Sequence, residues 1–371
     1  MEIKNFYDSL QVLEPRNREW TRKERLSAME RPLLAWYDSH ARVLPWRENP
    51  TPYRVWISEI MLQQTRVEAV KPYFERFVEE LPDVLSLAQV EDDRLMKLWE
   101  GLGYYTRARN LKKAAGQIVE RHGGQLPADP KALLALAGIG SYTAGAIASI
   151  AFGIPIPAVD GNVLRVLTRV LADRADITKQ QVKRQFEEEL EAIMPLRAGD
   201  FNQALMEIGA MVCIPNGKAK CEACPLASVC LARKQGIAEE LPVKTKKKAR
   251  RVEELTMLLI ENDSQISLHR RADKGLLAGL WELPNLEGHL SREEVRSYLT
   301  GLDGVGKVQD LEDLGAAKHI FTHVEWHMIG YRILVSGPLP DTFFPVDRKQ
   351  LADSYALPSA FRAYTDQISR E

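Results

Sequence analysis

The chain has 371 residues, of which 45% are hydrophobic and 27% are charged, and this composition is typical of a globular protein. The length is enough for two hydrophobic cores of ordinary domain size. No apolar run reaches the roughly 20 residues that a membrane-spanning helix needs, and the first residues lack the apolar stretch of a signal peptide, so a cytoplasmic protein is expected. The formal net charge is -1, which excludes a bulk positive field and leaves only local patches for nucleic-acid binding.

The first two thirds of the chain are predicted to be helical. Apolar residues recur with a helical period in RPLLAWYDSHARVL, YRVWISEIMLQQTRVEAV and GNVLRVLTRVLADR, and Pro, Gly and Asp separate these stretches. Glu59 lies in the apolar run VWISEIML, where burial would raise its pKa toward the range useful for a general acid. A buried carboxylate with a structural partner is the alternative explanation.

The stretch LAGIGSYTAGAI predicts a tight turn between two helices. A first helix would begin after Asp129, Gly138 and Gly140 would form the turn, and Ser141 could cap a second helix that runs to Gly153. Backbone N–H groups at such a turn can approach a phosphate at the helix N-terminus without reading bases. A simple hairpin between two helices is the alternative.

Asp160 lies in PAVDGNVLRV, twenty residues beyond the turn. Its ordinary explanation is the N-cap of the helix that follows. With Glu59 it would also form a pair of acids, one with a raised pKa and one ionised. Such a pair protonates a leaving group and stabilises a cation at a sugar carbon. The sequence pattern leaves both explanations open.

All four cysteines lie within CIPNGKAKCEACPLASVC. Disulfides are disfavoured in a cytosolic chain, and four thiolates this close together suit one metal centre. Only Cys221 and Cys224 have the short spacing of a zinc-binding pair. The spacing therefore leans weakly toward an iron–sulfur cluster, whose ligands would be Cys213, Cys221, Cys224 and Cys230.

The character of the sequence changes near residue 240. Six of the eight residues from Lys244 to Arg251 are Lys or Arg, which predicts a solvated linker or a patch that faces phosphate. Beyond it, LTMLLIEN, QISLHRR and HMIGYRILV are predicted strands, and EEVRSYLTGL and RKQLADSYAL are predicted short helices. The expected segments are an N-terminal extension over 1–25, a helical domain over 26–237, a basic linker over 238–253 and a mixed α/β domain over 254–371.

Taken together, these motifs resemble those of the helix-hairpin-helix DNA glycosylases with a [4Fe-4S] cluster, and within them the MutY family of adenine glycosylases. WISEIMLQQT, LPWR, GLGYYTRARN, the hairpin, VDGNV, the cysteine loop, GLLAGLWELPN and FTH carry the resemblance. Three features depart from the family pattern. The first cysteine gap is one residue longer than usual, Ala137 replaces a proline, and Thr322 replaces a serine. The resemblance implies an all-α glycosylase domain followed by a MutT (Nudix)-like α/β domain.

The resemblance also implies an activity in base excision repair: excision of adenine mispaired with 8-oxoguanine or guanine in double-stranded DNA. In the related endonuclease III type enzymes a lysine at the position of Tyr142 attacks the sugar and forms a Schiff base. Tyrosine cannot do this, so the implied enzyme is monofunctional and leaves an abasic site. The implied protein holds a [4Fe-4S] cluster and is a monomer in the bacterial cytoplasm, associated with the nucleoid through DNA.

Each implied site residue matches a family position. Glu59 would protonate N7 of adenine, Asp160 would stabilise or transiently trap the oxocarbenium-like sugar, and Tyr142 and Asn162 would orient these groups. The residues implied to contact DNA or the extruded base are Arg47 and Gln203 near the base pocket, Gln64 and Tyr104 as wedges beside the lesion, Gly138, Gly140 and Ser141 at a phosphate, and Phe321, Thr322 and His323 at 8-oxoguanine. The alternative explanations are a helix-surface amide for Gln64, core aromatics for Tyr104 and Phe321, and a surface residue for His323.

Three other functions are weaker interpretations of the sequence. A Nudix hydrolase needs a Glu-rich helix to hold its metals, but SREEVRSYLTGL has Arg296 and Ser297 where paired glutamates are required. A pyrimidine-damage glycosylase with lyase activity is disfavoured by Tyr142. A non-catalytic lesion-binding protein would not need both Glu59 and Asp160.

Overall fold

The structure is a computed structural model that describes residues 19–245 and 249–368. Residues 1–18 of the predicted N-terminal extension and residues 246–248 of the predicted linker lie outside the described residues. The chain divides into two compact units. Of the described residues, 19–89 and 109–245 form the first unit, and 90–108 and 249–368 form the second.

The first unit is helical, and no strand occurs in its described residues, 19–89 and 109–245. Its helices are α1 (Arg22–Ser27), α2 (Glu30–His40), α3 (Pro45–Glu48), α4 (Pro52–Leu62), α5 (Val67–Glu80), α6 (Val84–Gln89), most of α8 (Thr106–His122), α9 (Pro130–Leu134), α10 (Ser141–Phe152), α11 (Gly161–Leu171), α12 (Gln180–Glu191), α13 (Ala198–Met211) and α14 (Leu231–Gln235). Helix α7 (Asp92–Leu98) belongs to the second unit.

The predicted hairpin connects α9 and α10. The side chain of Asp129 accepts hydrogen bonds from two backbone N–H groups at the start of α9, as predicted. The prediction that Ser141 caps α10 is wrong, because the N-cap is Gly140 and the Ser141 hydroxyl instead donates to Glu187 at 2.8 Å. Helix α10 ends at a left-handed Gly153, the usual glycine position beyond a helix C-terminus.

Two glycines make the hairpin and its packing possible. Gly138 has a φ of +74°, and a Cβ there would lie 2.7 Å from the side chain of Asn110. A Cβ on Gly145 of α10 would lie 2.2 Å from the backbone oxygen of Pro157. A side chain at position 145 would therefore force α10 away from the segment that leads to Asp160.

The core of the first unit lies between helices α2, α11, α12 and α13. Leu33, Leu167, Phe186 and Phe201 are fully buried in it, and each buried apolar side chain contributes about 1.5–3 kcal/mol. The start of α1 is also fixed to this unit by ion pairs of Arg22 with Asp173 and Glu189.

The second unit contains one mixed sheet. Its strands are β1 (Arg251–Glu261), β2 (Gln265–Arg270), β3 (Trp281–Glu282), β4 (Asn285–Glu287), β5 (Lys307–Ile320), β6 (Val324–Ser336) and β7 (Phe344–Asp347), and its later helices are α15 (Arg292–Thr300), α16 (Arg348–Ser354) and α17 (Arg362–Thr365). The strand order is β3-β2-β1-β6-β5, with β4 paired to β1 and β7 paired to β2. Strands β1 and β6 are parallel.

Both faces of the central strand β1 are buried. Leu255, Met257 and Leu259 belong to the core cluster on one face, and Leu258 and Ile260 belong to the cluster on the other. This is the mixed α/β architecture that the sequence predicts. The long edge strand β5 is not predicted, because most of its residues are charged or exposed and its apolar alternation is weak.

Within residues 19–245 and 249–368, no helix combines the length and the apolar character needed to cross a membrane.

Candidate active site

A cavity of about 740 Å³ opens in the first unit. This volume is in the range of pockets that hold drug-sized ligands. The cavity is lined by side chains of α3, α4, α11 and α13, of the first turn of α10 and of the connecting segments. It brings together Arg47, Glu59, Gln64, Tyr142, Asp160, Asn162 and Gln203.

Glu59 lies on α4 and is only 5% exposed. The Tyr142 hydroxyl donates a 2.6 Å hydrogen bond to its Oε2. Burial raises the pKa of Glu59 to about 7, and the charge of Asp160 acts in the same direction, whereas the Tyr142 hydrogen bond and the charge of Arg47 lower it. Glu59 can therefore hold a proton near neutral pH.

Asp160 is the N-cap of α11. Its Oδ1 accepts the backbone N–H groups of Asn162 at 2.9 Å and Val163 at 2.8 Å, and its Oδ2 accepts the Asn162 side-chain amide at 2.8 Å. Burial raises the pKa of Asp160, and these three donors oppose the rise. The sequence predicts that only one of the two acids has a raised pKa, but burial raises the pKa of both Glu59 and Asp160. The capping role and a site role coexist at this residue.

A chain of hydrogen bonds orients Asn162. Arg165 donates to the Asn162 side-chain oxygen at 3.0 Å, to the Gly209 carbonyl at 2.7 Å and to the Cys213 carbonyl at 2.8 Å. A Cβ on Gly209 would lie 2.9 Å from the Asn162 Cβ, so only glycine leaves room there. The buried Arg165 thus links the cysteine loop to Asp160 through Asn162, a role that no sequence motif predicted.

Two arginines share one buried carboxylate at the cavity wall. Glu207 is 1% exposed and accepts from Arg42 Nε at 2.8 Å, Arg42 Nη2 at 2.7 Å and Arg47 Nη2 at 3.0 Å. Burial alone would raise the pKa of Glu207, but the two guanidinium groups outweigh it and lower the pKa. Glu207 is therefore ionised. It lies within the apolar run ALMEIGAM, the same kind of signal that points to Glu59.

Both predicted wedge residues have strained backbones. Gln64 has a φ of +60° and Tyr104 a φ of +47°, a region that costs non-glycine residues about 1–3 kcal/mol and is concentrated at functional sites. Gln64 lines the cavity of the first unit. Tyr104 belongs to the second unit and is 53% exposed, so the alternative of a core aromatic is wrong.

Phe321, Thr322 and His323 form a three-residue turn between β5 and β6. Phe321 packs edge-on against Trp326, with ring centroids 4.8 Å apart, whereas Thr322 and His323 are exposed. The hydroxyls of Thr322 and Tyr104 lie 3.0 Å apart within the second unit. The predicted lesion-reading turn is therefore in contact with one of the predicted wedges.

The four cysteines lie in the loop that follows α13. Burial raises the pKa of the Cys224 thiol, and the charges of the other three thiols act in the same direction. Arg169 Nη1 donates to Cys213 Sγ at 3.3 Å. Among residues 19–245 and 249–368, no three His, Cys, Asp or Glu side chains are gathered closely enough to hold a single metal ion. The thiols of Cys213, Cys221 and Cys230 thus act electrostatically on that of Cys224.

Helix α15 occupies the sequence position where a Nudix hydrolase would need its metal-binding glutamates. Glu294 is used in a capping box with Ser291, whose backbone N–H and hydroxyl both donate to it. Arg296 and Ser297 follow in the same helix. The side chains of α15 therefore do not favour phosphohydrolase chemistry.

Comparisons with known proteins agree with this architecture. The profile of the HhH-GPD superfamily of base excision DNA repair proteins matches residues 57–192, and the NUDIX domain profile matches residues 255–367. Human adenine DNA glycosylase is 34% identical over 409 residues, covering 92% of this chain and 75% of the human protein.

A bacterial relative and a solved structure extend the comparison. The adenine DNA glycosylase of Buchnera aphidicola subsp. Schizaphis graminum is 34% identical over 300 residues, covering 80% of this chain and 85% of that protein. The structure of a thermostable thymine-DNA glycosylase has a TM-score of 0.52 at 27% identity, covering 58% of this chain and 97% of that one. The chain belongs to the adenine DNA glycosylase family, enzymes of base excision repair, and combines a helix-hairpin-helix glycosylase domain with a C-terminal Nudix-fold domain.

Proposed function

We propose that this DNA glycosylase excises adenine paired with 8-oxoguanine, and also with guanine, and leaves an abasic site without cleaving the strand. It acts as a monomer on double-stranded DNA. The observation that carries the proposal is the pair of acids in one cavity, with Glu59 buried against the neutral hydroxyl of Tyr142 and Asp160 held by three donors.

Departure of the base requires a proton. Adenine is a poor leaving group as an anion, and protonation at N7 lets it leave as the neutral base. A pKa of about 7 makes the Glu59 proton available at neutral pH. Tyr142 occupies one carboxyl oxygen and leaves the other to carry the proton.

The sugar then carries positive charge at C1′. Asp160 stabilises that cation as a carboxylate, and Asn162 holds the Asp160 side chain in place. The oxygen of a water molecule bonds to C1′, and the proton released from that water passes to a carboxylate or to solvent. The target adenine must first leave the base stack, which costs a few kcal/mol and costs least at a mispair.

Strand cleavage would need an amine at the sugar. Tyr142 stands where a lyase has its lysine, and the lining of the cavity, as far as residues 19–245 describe it, includes one lysine, the exposed Lys244. Lys244 is therefore the amine that could contradict the monofunctional proposal.

A single assay tests the activity. Duplexes that pair adenine with 8-oxoguanine, guanine or thymine are incubated with the enzyme, and the products are analysed with and without alkali and after borohydride. We expect adenine release from the first two duplexes, strand breaks only after alkali, and little covalent trapping. Efficient trapping that disappears in Lys244→Ala would refute the monofunctional proposal.

We also propose that Cys213, Cys221, Cys224 and Cys230 hold a [4Fe-4S] cluster. The four thiols act on one another electrostatically, and only Cys221 and Cys224 have the short spacing of a zinc-binding pair. The cluster would cross-link the loop, and no step of the hydrolysis is assigned to it. Purified protein should be brown with about four irons per chain. A colourless, active protein with one zinc would contradict the assignment.

A further inference from the structure

The carboxylate of Glu207 lies between the two arginines of the cavity wall. Arg42 binds it through two nitrogens, and Arg47 binds the Oε1 atom that Arg42 also uses. Arg47 makes two further contacts, a 3.2 Å hydrogen bond from Nη1 to the Arg42 carbonyl and a cation–π contact with Tyr37. The clamp, defined as Arg42, Arg47 and Glu207, thus fixes the position of both guanidinium groups.

The clamp lines the same cavity as Glu59. Arg42, Arg66, Arg165, Glu207 and Lys244 are charged residues that line this cavity with Glu59. Three groups act on Glu59 most strongly: Arg47 of α3, Tyr142 of α10 and Asp160 at the start of α11. Helix α5, which also packs against α4, buries only apolar side chains, Val70, Phe74 and Phe77. Arg47 is the cation of this set, and a cation favours the ionised form of a nearby carboxyl.

A positive charge is harmful to an acid that must hold a proton. Uncompensated, Arg42 and Arg47 would place two positive charges beside the cavity and draw the proton from Glu59. Glu207 cancels one of these charges directly at the guanidinium groups. Because Glu207 is buried and both arginines are partly shielded from solvent, water screens the charges of the clamp less than it would at the surface, and the compensation acts across the cavity.

We propose that Glu207 is a positioning residue for the glycosylase reaction: it holds Arg42 and Arg47 against the wall of the base pocket and offsets their positive charge beside Glu59. This inference rests on the proposed role of Glu59 as the acid. It adds a residue that touches neither the base nor the sugar and acts through Arg47.

A purely structural role is the competing explanation. A buried ion pair can hold two helices together without any effect on chemistry, and loss of one partner is then destabilising. Such a role would lower the rate by the same factor at every pH. A charge effect on Glu59 would instead move the pH at which the rate begins to fall.

The experiment measures single-turnover adenine release between pH 5.5 and 9 with saturating enzyme. In the wild-type enzyme the rate should fall as pH rises through the pKa of Glu59. Glu207→Gln keeps the size of the side chain but removes the negative charge. The falling limb, defined as the part of the pH–rate profile where the rate decreases with rising pH, should therefore move to lower pH by about 0.5–1 unit. For a pKa that starts at about 7, this shift corresponds to a loss of about 3- to 9-fold at pH 8 and of less than about 2-fold at pH 6.

Arg42→Gln supplies the opposite charge change. It removes one positive charge and leaves Arg47 on Glu207, so the falling limb should move to higher pH. The double variant Arg42→Gln/Glu207→Gln loses both charges, and its limb should return toward the wild-type position. The double variant also removes the pair as a whole, so it keeps the test available if Glu207→Gln alone folds poorly.

Asp38→Asn is the matched control. Asp38 pairs with Arg197 at the surface of the same unit and does not line the cavity. This variant changes the net charge of the unit as Glu207→Gln does, and its pH profile should match that of the wild type.

The possible outcomes separate the clamp from the proposed function. A uniform loss of rate at all pH values in Glu207→Gln, with no movement of the limb, would overturn the inference. Equal shifts in Asp38→Asn and Glu207→Gln would also overturn it. A wild-type rate without a falling limb, or full activity of Glu59→Gln, would refute the role of Glu59 itself and hence the proposed mechanism.

Discussion

Buried carboxylates occur in both units, but their partners differ. In the second unit, Glu261 is bound by Arg332 and Arg348, and Glu282 is bound by Arg271 and His269. In the first unit, the hydrogen-bond donor to Glu59 is the neutral hydroxyl of Tyr142. All three carboxylates are 5% exposed or less.

The difference shows that the partner, rather than burial, decides what a buried acid can do. A guanidinium neighbour makes a buried carboxylate part of a structural ion pair. A hydroxyl neighbour leaves desolvation dominant, so the pKa of Glu59 rises to about 7 and the proton becomes available for transfer. Glu207 shares one property with each kind of carboxylate: it is paired with arginines, as Glu261 and Glu282 are, and it lines the cavity, as Glu59 does.

The largest effect is expected from the acids of the cavity. Glu59→Gln and Asp160→Asn should each slow adenine release by about 10²- to 10⁴-fold, because one loses the proton donor and the other loses the charge that stabilises the cation. DNA binding should survive, since the hairpin is unchanged. Single-turnover kinetics and gel-shift titrations measure the two properties. Rapid turnover by either variant would remove it from the mechanism.

The second prediction concerns stability, where Glu59 and Glu282 should behave in opposite ways. The pKa of Glu59 is about 7 when folded and 4.5 as the reference value, so the folded state binds more protons between these values. Stability is therefore lost as pH rises from about 4.5 to 7, by up to roughly 3 kcal/mol. Glu59→Gln should remove this loss and be more stable than wild type at pH 8, but not at pH 4.5.

Glu282→Gln is the contrasting variant. It leaves the half-buried Arg271 without its anion, which should cost about 1–3 kcal/mol at both pH values. Urea unfolding of both variants at pH 4.5 and pH 8 measures the difference. If Glu59→Gln were as destabilising as Glu282→Gln at pH 8, the contrast between the two partners would be wrong.

The sequence predicts the elements of this comparison but not the partners. The apolar run around Glu59 predicts a desolvated carboxyl, and the position of Asp160 before a helix predicts a cap. Glu207 carries the same signal as Glu59. Nothing in the pattern of residues shows that Arg42 and Arg47, 165 and 160 positions away, neutralise it.

The cap of α10 and the strand β5 are not predicted correctly from the sequence, and both have physical reasons. Ser141 is a favourable capping residue, but the tertiary contact with Glu187 takes its hydroxyl and Gly140 caps the helix. Strand β5 lies at a sheet edge, where exposed positions weaken the alternation. At Ser141 a long-range contact overrides the local preference, and in β5 solvent exposure removes the pattern on which the prediction depends.

A smaller effect is expected in the turn between β5 and β6. Replacing Thr322 and His323 together with Ala should reduce the preference for adenine opposite 8-oxoguanine over adenine opposite guanine by about 1–3 kcal/mol, because contacts to one base are lost. The rate with adenine opposite guanine should change little, since Glu59 is untouched. Single-turnover kinetics on both duplexes give the ratio, and an unchanged ratio would mean that the turn does not read the lesion.

The smallest effect is expected from the Tyr104 hydroxyl. It lies 3.0 Å from the Thr322 hydroxyl, and a hydrogen bond between two exposed groups lies at the low end of the usual contribution, about 0.5 kcal/mol. Tyr104→Phe keeps the ring that would wedge beside the lesion and should change the Kd for the 8-oxoguanine duplex by about threefold or less. Tyr104→Ala removes the ring and should weaken binding more strongly, because stacking on a base contributes about 1–3 kcal/mol. Equal losses in the two variants would assign the contact to the hydroxyl and would make Tyr104 part of the lesion-reading turn rather than a wedge.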